Sequence, residues 1–395
     1  MLAITVGEVG ISKIGQLRNL FGIMTSSSSL GTFNGVLKYV SEFKDDKSKL
    51  KELFSTVFTF LFIGSFITSI IIFFSSSFIA NTLFGNDEFT SLIKVLALMA
   101  PTIGINRVFS GVINGLSEYK KLAKIELSSY LISAVMLVTF LCFFKLEGVL
   151  FSIVLTPITQ LGIIIYVFGS TLKQYMKFKI GQVPFLKEIL AFTLMSFVST
   201  VLLNYIELDI RTMISNKISV DEAGYWTAMS FISKNYMAFS SSLFTLYVIP
   251  KFSRIYLGQV FVKEVFNIYK TLLPIFGLGM ILVYVFRNFV IDIIYPNFTG
   301  MESLFKWQLL GDFVRLATLV ISHQFLAKKM VKSFIITELI SLALFYSFSK
   351  YFVILYGAEG VVMAHFFRYI IYFLIVTIAV WLYFKKQKNR KNYNG

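Results

Sequence analysis

Long apolar runs, separated by short charged or Gly-, Pro- and Asn-containing stretches, dominate the pattern along the chain. A helix crosses the roughly 30 Å hydrocarbon core of a bilayer in about 20 residues, which matches the length of these runs. A transmembrane barrel would need alternating segments of about 10 residues, whereas runs such as residues 58–74 have no period of two. The pattern therefore predicts an all-α polytopic membrane protein. We expect eleven spans, at residues 10–40, 51–80, 88–115, 120–144, 147–169, 186–215, 221–250, 264–294, 301–327, 331–355 and 357–384.

The Lys and Arg residues of alternate connections are distributed unevenly. One set of connections, which includes the C-terminal tail, holds 23 cations, and the opposite set holds five, namely Lys145, Arg211, Lys217, Arg287 and Lys350. Because Lys and Arg concentrate in cytoplasmic loops, this asymmetry predicts a cytoplasmic C-terminus. Eleven spans then put Met1 on the far side of the membrane.

Composition excludes a water-soluble enzyme. The chain is 56% hydrophobic and 15% charged, against about 45–50% and about 25% in soluble domains. Its formal charge of +16 would suggest nucleic acid in a soluble protein, but here most cations orient the chain in the bilayer, so no nucleic-acid partner is expected. The sequence has no phosphate loop of the GxxxxGK[ST] type, no CxxC or HExxH motif and only two histidines, which predicts a non-enzyme without metal or other cofactor.

The spans divide into two groups. We expect an N-terminal helical lobe of five spans at residues 1–170, a cytoplasmic linker at 171–186, a C-terminal lobe of six spans at 187–384 and a basic cytoplasmic tail at 385–395. One further N-terminal helix would make two bundles of six, an arrangement common in transporters built from repeats. No connection is long enough for a soluble catalytic domain.

Nine cations remain inside the predicted spans, where each costs at least ~2.5–3.5 kcal/mol unless it faces protein, water or a ligand. Three of them, Lys94, Lys270 and Lys306, lie near span ends, where snorkelling to the interface explains them. Three others lie near the middle of spans: Lys234, Arg315 and Arg368.

These central cations have different surroundings. Lys234 has no acidic residue within a turn on its own helix and lies in a polar stripe, which favours a watered cavity. Arg315 follows Asp312 by three residues, so a structural ion pair is the alternative to a functional role. Arg368 has only His365 one turn away, and a buried polar pair is as good an explanation as a site.

The first span is the least apolar of the eleven. It contains Lys13, Gln16, Arg18, Asn19 and the serine run 26–29, which would be expensive against lipid, so we expect this helix to line an interior. Close packing of small residues is the competing explanation for the serines. Acidic residues are rare in the spans, so the interior is predicted to be a central cationic cavity, which selects anions.

Five stretches resemble the Wzx-type O-antigen and enterobacterial common antigen lipid flippases of the multidrug/oligosaccharidyl-lipid/polysaccharide exporter superfamily. They are GEVGISKIGQLRNLFGI, FNGVLKYVSEF, INGLSEYKKLAKI, DEAGYWTAMSFISKNYMAFSSSLFTLYVIPKFS and FTGMESLFKWQLLGDFVRLATLVISHQFLAKKM. The resemblance implies twelve helices in two six-helix lobes around a central cavity, and alternating access. The family's first helix is missing here, and Ser230 replaces a second Trp of the family's GYW block.

The resemblance also implies a substrate and binding residues. The substrate is undecaprenyl diphosphate carrying an oligosaccharide, such as an O-antigen repeat unit, moved across the inner membrane; membrane lipids, an O-antigen polymerase and a chain-length regulator are the expected partners. Arg18 and Lys234 are the candidates for the diphosphate, and Lys13 and Arg211 for positions nearer the outer mouth. Asp312 and Arg315 are candidates for gating or a structural ion pair. A cation-coupled multidrug exporter of the same superfamily and a non-transporting scaffold in polysaccharide assembly remain alternatives.

Overall fold

The structure, a computed structural model, describes residues 2–175, 180–243 and 248–393. Its regular elements are helical, and no strand is present in these ranges, which confirms the all-α fold class. The fifteen α-helices are α1 (Leu2–Ser28), α2 (Phe33–Phe43), α3 (Lys47–Phe74), α4 (Ser76–Phe84), α5 (Thr90–Leu98), α6 (Ala100–Gly115), α7 (Tyr119–Tyr175), α8 (Leu186–Ser196), α9 (Leu203–Lys217), α10 (Val220–Leu243), α11 (Ile249–Ser253), α12 (Gly258–Val285), α13 (Arg287–Ile294), α14 (Glu302–Ala327) and α15 (Val331–Tyr393). A π-helical segment, Phe197–Leu202, joins α8 to α9.

Six helical stretches within the described residues are long and apolar enough to cross a membrane, or seven if α5 and α6, which meet at a 46° bend, form one span. Two of the six, Tyr119–Thr171 and Val331–Gln387, have 53 and 57 residues, far more than the about 20 that one crossing needs. Each is interrupted by one residue with non-helical backbone, Lys145 or Gly357, where the sequence predicts a connection between spans. The number of eleven spans stays a prediction.

The interruption at Gly357 is fixed by α10. Gly357 has a φ of 57°, in the left-handed region that favours glycine, and an added Cβ would lie 3.0 Å from Glu222 Oε2. The same carboxylate oxygen accepts a 2.8 Å hydrogen bond from the backbone N–H of Ala358. Glu222 therefore satisfies a backbone donor at the start of the second part of α15.

Helix α1 lies between the first half of the chain (α1–α7) and the second half (α8–α15). It contacts α3, α6 and α7 on one side and α9, α10 and the π-helical segment on the other. The polar residues Gln16, Asn19 and Ser26 of α1 are buried, as expected for a helix that lines protein rather than lipid. Helix α1 thus forms a large part of the interface between the two halves.

Apolar packing continues across the predicted lobes. One buried cluster runs from Ala3 to Val380 and draws on both halves, and a second joins helices of the first half to Ile189 of α8. The predicted linker at 171–186 lies partly outside the described residues. The division into two lobes at this linker stays a prediction.

Large apolar side chains also cover much of the outer surface. Phe74, Phe78 and Tyr166 are 83%, 74% and 86% exposed, and the only cysteine, Cys142, is exposed and free. Such a surface is unfavourable in water and suited to lipid contact. The chain is a multi-pass membrane protein.

Candidate functional site between the two halves

Arg211 lies inside α9, and only 1% of its surface is exposed. Its Nε donates a 2.7 Å hydrogen bond to Thr227 Oγ1 of α10, and its guanidinium carbon lies 4.9 Å from the centre of the Trp226 ring. When the Asn19 amide of α1 is turned so that its oxygen faces α9, this oxygen accepts a 3.0 Å hydrogen bond from Arg211 Nη1. Arg211 therefore joins three helices at the interface of the halves.

Arg211, counted by sequence among the cations of an outer connection, lies inside helix α9, which continues to Lys217. Its predicted place near the outer mouth stays a prediction. The part of α9 around Arg211 is as polar as a loop because its polar side chains face the polar side chains of α1. Gln16 of α1, for example, donates a 3.0 Å hydrogen bond from Nε2 to Thr212 Oγ1.

Close contact at this interface depends on Gly15 of α1. An added Cβ there would lie 2.5 Å from Thr227 Cγ2 and 2.9 Å from Arg211 Nε, both shorter than a normal van der Waals contact. Glycine therefore lets α1 approach α9 and α10 closely, as small residues do in membrane helix packing.

Lys234 of α10 forms an ion pair with α9. Its Nζ donates a 2.6 Å hydrogen bond to Glu207 Oε2, and the Lys234 and Glu207 side chains are 48% and 13% exposed. Glu207 precedes Arg211 by four residues on α9, so the two lie on the same helical face. The carboxylate of Glu207 therefore stands between two cations.

Arg18 of α1 reaches the same region from the first half of the chain. Its side chain is exposed, and its guanidinium carbon lies 4.6 Å from the centre of the Phe231 ring on α10. Phe231 precedes Lys234 by three residues, which places both on one face of α10. Within the described ranges Arg18 forms no salt bridge.

Lys13 lies apart from these three cations. Its Nζ is 5.0 Å from the centre of the Phe89 ring, which belongs to the first half of the chain. The structure therefore places Lys234 and Arg211 around Glu207 and Arg18 on Phe231 of α10, and it directs Lys13 towards its own half.

Asp312 of α14 is the centre of a second polar cluster, and its side chain is fully buried. Its Oδ2 accepts hydrogen bonds from the Tyr236 hydroxyl, from Ser233 Oγ at 2.5 Å and from Gln308 Nε2 at 2.9 Å. Its Oδ1 lies 3.0 Å from His365 Nε2. Asp312 thus links α10, α14 and α15 through groups of the second half alone.

Arg315 is a more distant partner of Asp312. Its Nη1 lies 3.9 Å from Asp312 Oδ1, and its side chain is 28% exposed. The predicted pair is therefore present, but the shorter hydrogen bonds of the cluster are the main contacts of the carboxylate. A gating role for either residue stays a prediction.

Arg368 is satisfied within α15. Its Nε donates a 2.7 Å hydrogen bond to Ser341 Oγ, and its Nη2 lies 3.8 Å from Glu338 Oε1. Tyr372 donates a 2.7 Å hydrogen bond to Glu338 Oε2. These contacts favour the explanation of Arg368 as part of a buried polar cluster.

The sequence-based candidates did not include Glu207, which pairs with Lys234. Its signal was the spacing to Arg211 in the polar stretch NYIELDIRT, because a Glu four residues before an Arg shares its helical face. In the resulting arrangement, Arg18, which forms no salt bridge in the described ranges, packs on Phe231 one helical turn before the ion-paired Lys234. An entering anion could be bound by the Arg through two hydrogen bonds and compete with Glu207 for the Lys.

The sequence matches the profile of the polysaccharide biosynthesis protein family over residues 21–298. This match covers well over half of the chain. The chain belongs to this family. Relatives of this polysaccharide biosynthesis protein include the lipid III flippases of Escherichia coli (strain K12) and Shigella flexneri. Each is 26% identical over 380 residues, which cover 94% of this chain and 90% of the relative.

Solved structures of transporters share the fold of this family member. An inward-facing multidrug resistance MATE family transporter of the MOP superfamily aligns with a TM-score of 0.75 at 14% identity, covering 98% of this chain and 92% of its own. The lipid II flippase MurJ in an inward closed conformation aligns with a TM-score of 0.65 at 17% identity, covering 93% and 85%. The chain therefore has the helical transporter fold of that superfamily.

Proposed function

We propose that this protein is a flippase that moves an undecaprenyl-diphosphate-linked oligosaccharide, such as an O-antigen repeat unit, across the bacterial inner membrane. The observation that carries the proposal is the exposed Arg18 of one half, which forms no salt bridge in the described ranges and packs on Phe231, one helical turn before Lys234 of the other half. These two side chains suit a diphosphate, since one Arg guanidinium can donate two parallel hydrogen bonds to phosphate oxygens and Lys adds a point charge. The lipid III flippases among the relatives support this substrate class.

In the proposed cycle the diphosphate binds between the halves and displaces Glu207 from Lys234. The halves then rock about α1, which opens the site to the opposite side while the lipid tail stays in the bilayer. When the diphosphate is released, Glu207 forms its salt bridge with Lys234 again and so lowers the positive charge of the empty site. The 23-to-5 asymmetry of loop cations supports a cytoplasmic C-terminus and a cytoplasmic starting side.

The test is reconstitution of the full chain in liposomes that contain a fluorescent undecaprenyl-diphosphate-linked oligosaccharide. A membrane-impermeant quencher then measures transfer between leaflets. We expect Arg18→Ala and Lys234→Ala each to reduce the transfer rate at least tenfold, because each removes a diphosphate contact. Lys306→Ala is the matched control, since it removes an exposed cation from α14 that stacks on Trp307. Full transfer by both site variants would refute the role of this pair.

A cation-coupled multidrug exporter is the second candidate, and the MATE-like fold with the partly buried Glu207 and the buried Asp312 favours it. Such an exporter needs carboxylates that are free to bind cationic drugs, but here both carboxylates are engaged by groups of the protein. Uptake of ethidium by inverted vesicles, measured beside the lipid-transfer assay, separates the two functions. Drug transport without lipid transfer would contradict the flippase proposal.

Complementation of a flippase-null bacterial strain tests the third alternative, a non-transporting scaffold. A flippase restores surface polysaccharide in the null strain, whereas a scaffold does not. Co-purification with an O-antigen polymerase and a chain-length regulator tests the proposed partners independently of transport.

A further inference from the structure

A second pair of cations lies where α2 approaches the turn between α14 and α15. Lys38 of α2 and Lys329 of the turn come from opposite halves of the chain, and their ammonium groups lie close enough for their charges to interact. Two ammonium groups cannot hydrogen-bond to each other, because each has donors only, and their charges repel. The contact therefore lacks an acceptor.

The Lys38 ammonium group also lacks a hydrogen-bond acceptor among the described residues around α2. Its Nζ is buried and has no hydrogen-bond acceptor in the described part of the chain. It lies 4.4 Å from the centre of the Tyr39 ring and 5.7 Å from that of Phe192 on α8. Aromatic faces attract a cation, but they replace only part of what three hydrogen bonds to water supply.

The backbone at Lys329 gives an independent observation. Lys329 has a φ of 53°, and the Met330 N–H donates a 2.8 Å hydrogen bond to Phe325 O, so the end of α14 resembles a Schellman motif. Glycine is the usual residue at such a position because it adopts positive φ without strain. The turn alone therefore does not account for a lysine here.

Two carboxylates face this region without neutralising it. Glu42 follows Lys38 by four residues and is exposed, and Glu188 of α8 lies near Tyr39. Neither forms a salt bridge with Lys38 or Lys329 within the ranges that the structure describes. Both lysines therefore remain available to an anion.

We propose that Lys38 and Lys329 form a phosphate-binding site that links the two halves of the protein at the end carrying the α14–α15 turn. The ligand is a phosphate or diphosphate ester, because such a group supplies several acceptor oxygens and enough negative charge to bridge two ammonium groups. Its source is the diphosphate of a lipid-linked substrate or the headgroup phosphate of a bilayer lipid. The first source rests on the proposed function, and the proposed orientation places the site on the cytoplasmic side.

A bound phosphate changes the balance between the halves at this end. Without it, Lys38 and Lys329 repel and favour separation of α2 from the α14–α15 turn. With it, both lysines bind one anion and hold the two halves together. The site is therefore a first contact for a cytoplasmic diphosphate, ahead of Arg18 and Lys234.

The test uses the full chain in phosphatidylcholine nanodiscs and inorganic diphosphate as the probe, with affinity measured by thermophoresis. We expect saturable binding to the wild type and an affinity at least tenfold lower for Lys38→Gln/Lys329→Gln. Lys44→Gln/Lys332→Gln is the matched control, because both lysines are exposed, lie near the same ends of α2 and the turn, and carry the same charge. Lys329→Gly removes the charge while suiting the positive φ, so it tests the site in a protein that keeps the turn.

A distance measurement tests the link between the halves. Spin labels at Ser41 and Ser333, in a background with Cys142→Ser, report the separation of α2 from the start of α15. We expect diphosphate to shorten or narrow this distance in the parent and to leave it unchanged in Lys38→Gln/Lys329→Gln. Unchanged affinity in that double variant, or an equal loss in the matched control, would overturn the site.

Two further probes distinguish the sources of the phosphate. If a lipid headgroup occupies the pair, phosphatidylglycerol nanodiscs weaken diphosphate binding to the wild type but not the residual binding of the double variant. If the substrate occupies it, undecaprenyl diphosphate in phosphatidylcholine nanodiscs binds the wild type at least tenfold more tightly than the double variant. A chain that shows this binding but transfers no lipid-linked oligosaccharide would contradict the proposed function and leave the site in place.

Discussion

Lys234 of α10 and Glu207 of α9 form a salt bridge, with 2.6 Å between Nζ and Oε2. Glu207 lies one helical turn from the buried Arg211, and Arg18 packs on Phe231, one helical turn before Lys234. Because the Glu207 carboxylate lies near the cations Lys234, Arg211 and Arg315, the positive charge that Lys234 can offer to an anion depends on whether Glu207 holds it. In the proposed cycle an entering diphosphate breaks this salt bridge, so its removal has a defined consequence.

Glu207→Gln is expected to tighten diphosphate binding and slow transfer. The neutral amide leaves Lys234 without its ion-pair partner, so an entering anion has no competitor for it. Since Lys234 is about half exposed, we expect an affinity gain of about 3–10-fold, equivalent to roughly 1 kcal/mol, and a comparable loss of transfer rate from slower release. Titration of inorganic diphosphate and the liposome transfer assay measure the two effects.

Asp209→Asn is the matched control for this prediction. It removes a carboxylate from the same helix, two residues from Glu207, and leaves the Lys234 pair intact. The same gain in affinity for both variants would show that net charge alone, and not the salt bridge, sets diphosphate binding.

Thr227→Val is expected to destabilise the interface of the halves. The valine keeps the shape of the side chain but leaves the buried Arg211 Nε without its hydrogen-bond acceptor, at a cost of about 1–3 kcal/mol. Thermal unfolding in detergent should therefore show a lower midpoint. Thr318→Val is the control, since the hydroxyl of this buried residue donates to the Val314 carbonyl of its own helix. Equal shifts for both variants would contradict the role of Thr227 in holding Arg211.

Gly15→Ala is expected to push α1 away from α9 and α10. The added Cβ would meet Thr227 Cγ2 at 2.5 Å, and relieving this overlap costs about 1–3 kcal/mol. Gly162→Ala in α7 is the control, because nothing lies within 4 Å of its added Cβ and alanine favours a helix over glycine. We expect the midpoint of thermal unfolding to fall for Gly15→Ala and not to fall for Gly162→Ala. The reverse order would refute close packing at Gly15.

The sequence predicts which helices are interior more readily than which residues meet. The polar residues of α1 indicated a helix that lines protein, since Gln16 and Asn19 would be costly against lipid. Partners on other helices were not predictable in this way, because helix periodicity relates residues only within one helix. The sequence therefore indicated no acidic partner for Lys234 or Arg368. In the structure Lys234 pairs with Glu207, and Arg368 pairs with Glu338.

Asp312→Asn is expected to disrupt the buried cluster of the second half. The carboxylate accepts hydrogen bonds from Ser233, Tyr236 and Gln308, and an amide nitrogen in its place would face donors that it cannot satisfy. Breaking such a buried charged network costs roughly 3–5 kcal/mol, so the unfolding midpoint in detergent should fall well below that of the wild type. Asp87→Asn is the control, as an exposed carboxylate that also accepts two side-chain hydrogen bonds. If Asp312→Asn unfolds at the wild-type temperature and still loses lipid transfer, the cluster acts in the transport cycle and not in holding α10, α14 and α15 together.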